Sequence, residues 1–119
     1  MKENRKTERI KAASFATVRN RRGHVLLGYL GNLTPDGAMS VGERPVKTDQ
    51  DIHLEIEFRG ETEIPDGRLS LPARVVRCEL DEETGYHHTG FEFLSMTDEI
   101  KDAIESLMER YRFNLNYPL

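Results

Sequence analysis

Two arginines four residues apart, Arg5 and Arg9, stand near the start of this 119-residue chain with nothing apolar between them. Each guanidinium is a permanently charged planar fork that matches phosphate oxygens, or the O6/N7 edge of guanine, two bonds at a time. Farther on, Asn32-Leu33-Thr34-Pro35-Asp36-Gly37 sets an amide, a hydroxyl, a proline and a carboxylate between the apolar runs Val25–Leu30 and Ala38–Val41. In a strand Asn32 and Thr34 point to one face, side by side. Pro35 ends ladder pairing. Asp36-Gly37 is expected to turn, with Gly37 taking a positive φ and leaving its backbone N–H open to a ligand.

Taken singly, these fragments are ordinary. An Arg-x3-Arg pair also suits a solvated basic tail, and Asn, Pro, Asp and Gly between strands are common turn residues. Asn32-Leu33-Thr34 fits a glycosylation sequon, but Pro35 follows it and nothing suggests secretion. Other chemistries find less support. His87 and His88 are adjacent on a strand and so point to opposite faces, while His24 and His53 have no acidic partner at metal-binding spacing. No metal site is expected. Cys78, the single cysteine, excludes an internal disulfide and a cysteine cluster and suits a reducing cytoplasm. No serine lies in a nucleophile elbow and there is no phosphate loop, so no catalytic residue is assigned and the chain reads as a non-enzyme.

Charge is unevenly spread. Net charge is −4, yet residues 1–22 hold eight basic and two acidic side chains while the remainder is strongly acidic. That distribution argues against a broad DNA or RNA surface and for one anion site near the N-terminus. With no apolar run of membrane-spanning length, no membrane span is expected, and the basic start lacks the apolar segment of a signal peptide. A chain 37% hydrophobic and 32% charged can build a modest core under a solvated surface, and one domain is expected.

The elements that must carry these residues read as strands. Residues 1–11 form a polar, flexible leader, and 12–119 a single domain. Ala12–Val18, His24–Leu33, Ala38–Val41, Asp51–Phe58, Arg68–Leu80 and Tyr86–Leu94 are six expected strands. The fourth alternates without a fault, Ile52, Leu54, Ile56 and Phe58 inward against His53, Glu55 and Glu57 outward. Arg19–Gly23, Gly42–Gln50, Arg59–Gly67 and Asp81–Gly85 are expected links; Gly28 and Gly31 mark bends and Pro72 a bulge or edge. Six strands at this spacing make a mostly β fold, a small antiparallel β-barrel. Near the end the period changes: Thr97 caps a helix of about 97–113, and Ile100, Ala103, Ile104, Leu107, Met108 and Tyr111 form one apolar stripe to close the barrel.

Arg-x3-Arg at the entry to a small barrel, followed by Asn-x-Thr-x-x-Gly at the end of its second strand, resembles the PilZ family of cyclic di-GMP receptors. Ala73-Arg74-Val75-Val76-Arg77, His88-Thr89-Gly90-Phe91-Glu92-Phe93 and the closing helix fit as well. The resemblance implies a six-stranded split barrel with a C-terminal amphipathic helix. It also implies a cytoplasmic, non-enzymatic receptor for the bacterial second messenger cyclic di-GMP, with no other cofactor. By the same resemblance Arg5 and Arg9 take guanine edges and phosphates, and Asn32 a guanine or ribose edge. Thr34 offers a hydroxyl where the family has serine, and Gly37 leaves room for close approach. Asn4 stands where some relatives carry a further arginine, which leaves open whether one or two nucleotides bind. Ordering of the leader on binding would then signal to a downstream protein partner. The alternative is a PilZ-like adaptor without nucleotide binding that acts through protein contacts. A barrel for single-stranded RNA would need exposed aromatics, whereas Phe15, Phe58, Phe91 and Phe93 suit the core.

Overall fold

The computed structural model describes residues 16–59 and 67–111, with helix side chains as far as Glu109. Among the described residues six strands, β1 (Ala16–Asn20), β2 (Val25–Thr34), β3 (Gly37–Gly42), β4 (Gln50–Phe58), β5 (Arg68–Asp81) and β6 (Tyr86–Phe93), precede the α-helix α1 (Asp98–Tyr111). The strands close an antiparallel barrel in the order β1-β2-β3-β6-β5-β4. The alternation in β4 works as read: Leu54, Ile56 and Phe58 are buried and Ile52 packs against them, while His53 stays exposed.

The first link is shorter than the sequence implies. Arg19 and Asn20 are not loop residues but pair with Glu55 and Leu54 on one side and with Leu26 and Val25 on the other. Charged residues are tolerated there because the outer barrel face is solvated. The chain reverses only at Arg21–His24, where Gly23 (φ 80°) and His24 (φ 54°) both take left-handed conformations. The residues 12–15 of the expected first strand, and the 112–113 end of the expected helix, lie outside the described residues.

Three bulges bend the sheet into a barrel. One lies between the Val18–Gly28 and Arg19–Leu26 pairs, one at Gly31, and one at Val76. Gly28 and Gly31 therefore sit at or beside bends, as read. Pro72 does not form a bulge; it pairs opposite His53, and its carbonyl accepts the Leu94 N–H (3.0 Å) just past β6. That is the end of the β5–β6 ladder, where a missing N–H is tolerated.

Both barrel ends are stoppered. At the end holding Phe58, Leu69 and Phe93, α1 contributes the fully buried Ile104 and Leu107 to the common core. Thr97 caps this helix by accepting the Ile100 N–H on Oγ1 (3.1 Å). At the other end the β3–β4 loop folds inward. Val46 packs on the core, its N–H donates to the Cys78 thiol (3.4 Å), and the Asp49 N–H donates to the Val75 carbonyl (2.8 Å). With its interior filled, the barrel leaves its outer surface for recognition.

Candidate functional site

The Asn32–Gly37 segment forms the β2–β3 hairpin. Thr34 pairs with Gly37, so the turn residues are Pro35 and Asp36 and not the expected Asp36-Gly37. Proline presets the first turn dihedral, and Thr34 Oγ1 accepts the Asp36 N–H (3.2 Å). The Asp36 carbonyl in turn accepts the Phe93 N–H (2.9 Å), tying the turn to β6. Gly37 has no positive φ. It needs to be glycine for another reason: a Cβ there would land on the Phe91 carbonyl oxygen. The expectation of a left-handed Gly37 is corrected accordingly; close approach of β6 backbone excludes a side chain.

Asn32 pairs with Met39, and Met39 belongs to a small cluster with Val41 and Tyr86 outside the barrel interior. Directly opposed residues of an antiparallel pair share a face, so Asn32 lies on the outer side, where it is 7% exposed. Thr34, two positions on, shares that face as expected. The Asn32 Oδ1 accepts the N–H of Leu33 (2.9 Å), which turns the acceptor end of the amide to its own backbone.

The row continues across the sheet. Met39 pairs with Gly90, and Gly90 with Arg77. A Cβ on Gly90 would meet Arg77 Cγ at 3.1 Å and Nε at 3.2 Å, so the arginine lies flat across the glycine. Asn32, Met39, Gly90 and Arg77 thus form one cross-strand row, which puts a guanidinium on the face that carries Asn32 and Thr34. Sequence reading gave Arg77 no role. The signal was there in Arg77 and Gly90 together, but only strand register, shifted by the Val76 bulge, pairs them. Arg5 and Arg9 lie outside the described residues.

Elsewhere the polar groups serve local order. On the far side of the barrel, Asp51 and Arg74 join through Arg74 Nε (2.8 Å). The hydrogen bond from Arg74 holds the Asp51 carboxyl below its ordinary value, and Asp51 raises Arg74 in return. Arg68 pairs with Glu57 (3.0 Å), and Ser70 Oγ meets both His53 Nε2 (2.9 Å) and Arg21 (3.3 Å). Among the described residues no three His, Cys, Asp or Glu side chains converge as metal ligands. No helix among them is long and apolar enough to cross a membrane. Phe58 and Phe91 are buried and Phe93 packs on the core; Phe15 lies outside the described residues.

The model of the PilZ domain matches residues 3–110. The chain belongs to the PilZ family. Among solved structures, this PilZ chain is similar to the PlzA protein of Borreliella burgdorferi, crystallised in complex with c-di-GMP. The likeness has a TM-score of 0.51 at 11% identity and covers 92% of this chain and 57% of PlzA. It therefore bears on the fold, and this PilZ chain spans little more than half of PlzA. No curated protein matches the chain.

Proposed function

We propose that the protein is a cytoplasmic, non-enzymatic receptor for cyclic di-GMP, bound on the outer face of β2 and β3 by Arg5, Arg9, Asn32 and Thr34, with Arg77 as a further contact. Membership of the PilZ family supports the ligand class, and PlzA is a protein of the same fold in complex with that nucleotide. The observation that carries the site is the row from Asn32 through Met39 and Gly90 to Arg77. It joins the motif amide to a guanidinium, because the missing side chain at Gly90 lets Arg77 lie across the sheet toward β3.

Chemistry assigns the roles. Asn32 accepts the Leu33 N–H on Oδ1, and its amide NH2 is the donor type that suits the acceptor edge of guanine. The Thr34 oxygen already accepts from Asp36, so its hydroxyl hydrogen is the part to be given to a phosphate. Arg5 and Arg9, on the basic leader, supply the forks for phosphate and guanine. Gly37 acts indirectly, by letting β6 approach and so fixing the hairpin that holds Asn32 and Thr34. Residues 1–11 act as the ligand-binding leader of a single domain. Their ordering on binding presents a new surface to a downstream protein partner.

Calorimetric titration of the full chain with cyclic di-GMP tests this reading. Each charge-assisted hydrogen bond contributes about 1.5–3 kcal/mol, so Arg5→Ala or Arg9→Ala, losing a bidentate pair, weakens binding by two orders of magnitude or more. Arg77→Ala costs roughly tenfold or more by the same measure. Undiminished heat in the Arg5 and Arg9 variants would overturn the site, and a wild type that gives no heat would favour the adaptor.

A further inference from the structure

At the end of β2 and β3 away from the Pro35–Asp36 turn, the barrel carries an open groove of about 650 Å³, lined by Val25, Leu26, Tyr29, Val41 and Tyr86 among others. Its floor is a contact of two backbones. A Cβ on Gly28 would lie 2.5 Å from the Val41 oxygen, and one on Gly42 would land on the Leu27 carbonyl oxygen. Val25 and Leu26 remain 53% and 46% exposed beside it. Adjoining apolar side chains left open on a small domain mark a contact surface.

Charge selects the occupant. The turn Arg21–His24 leads directly into Val25 and leaves Arg22 exposed on one flank of the groove. The turn that leads into Tyr86 leaves Glu82 and Glu83 exposed on the other. Strand order β1-β2-β3-β6-β5 sets the basic and acidic turns on opposite sides of the same barrel end. Glu43 and Arg44, exposed on the β3–β4 loop, also line the groove. The patch thus has an apolar centre, both signs of charge at its rim, and Arg22 and Glu82 beyond opposite flanks. Such a patch complements itself after a two-fold rotation.

We propose that this groove is the interface of a symmetric homodimer. Val25 and Leu26 of each copy bury against the Tyr29–Val41–Tyr86 wall of the other, and Arg22 of each faces Glu82 of the other. None of these residues belongs to the proposed nucleotide contacts, so the dimer is tested without nucleotide and stands or falls separately.

Sedimentation equilibrium of the full chain, from micromolar to millimolar concentration, reads it directly. The mass should rise from one chain to two. Leu26→Glu, at an exposed position that spares the core, should stay monomeric with an unchanged circular dichroism spectrum. Arg22→Glu and Glu82→Arg should each weaken association at least tenfold, and the double variant should restore it because both contacts re-form with signs reversed. A wild type that stays monomeric at millimolar concentration, a dimer that Leu26→Glu leaves intact, or a double variant weaker than either single change would overturn the proposal. So would a monomer whose own 112–119 segment gives nuclear Overhauser contacts to Leu26 and Tyr86.

Discussion

Gly37 illustrates how one residue type answers to two physical demands. Turn chemistry explains a glycine by backbone freedom, but here the deciding contact is the Phe91 carbonyl of β6. Gly37→Ala is therefore expected to lower stability by about 1–3 kcal/mol, the range for overpacking a tight site, in denaturant unfolding without ligand. A change that spared stability and altered only ligand affinity would contradict it. The Asp51–Arg74 pair makes a second residue-scale prediction. The Asp51 carboxyl titrates below its ordinary 3.8 in the folded chain because Arg74 hydrogen-bonds it. Its contribution to stability is thus present above the ordinary value and lost as pH falls through the lower folded value. Both groups are exposed, so the effect on stability is small. Its clear readout is the Asp51 midpoint by NMR, which Arg74→Ala should move back up. Residue identity announced Asn32 and Thr34 as a pair on one face, because period-2 alternation needs no tertiary information. The reason for Gly37 was not legible, because it lies in a strand 54 residues downstream, where β6 pairs Phe91 with Ala38.

Among the elements, α1 is the most completely written in sequence. Its cap and its apolar stripe are both local patterns, and Thr97 does accept the Ile100 N–H. Thr97→Ala should cost about 1 kcal/mol, and Ile104→Ala about 2–5 kcal/mol because Ile104 is fully buried; chemical denaturation measures both. A loss at Thr97 as large as that at Ile104 would show that packing, not capping, dominates the helix start. Strand positions were equally legible where alternation is strict, as in β4. Strand ends were not: Arg19 and Asn20 look like loop residues until Glu55 and Leu54 are placed opposite them. The bulge at Val76 escapes for the same reason, since an extra residue is defined only against its partner strand, whereas glycine marked the bend at Gly31. Because the Val76 bulge sets which β5 residue meets Gly90, it also hid Arg77 from sequence reading.

At the scale of the whole molecule, the PilZ barrel divides its labour between a filled interior and a patterned exterior. The helix and the Val46 loop close the two ends, so a ligand meets only the outer wall. On that wall the Asn32–Arg77 row runs from β2 to β5, while the ion pairs of Arg68 and Arg74 join β5 to β4 on its other side. Charge asymmetry along the chain pointed to the N-terminal end without geometry, because it needs only counting. NMR titration of the full chain with cyclic di-GMP is the most direct test of the proposed receptor. The amide and guanidinium signals of Arg5, Arg9, Asn32, Thr34, Gly90 and Arg77 should move together and saturate with the nucleotide. Saturating shifts confined to the Glu57–Arg68 and Asp51–Arg74 face, with Asn32 and Arg77 unmoved, would contradict it.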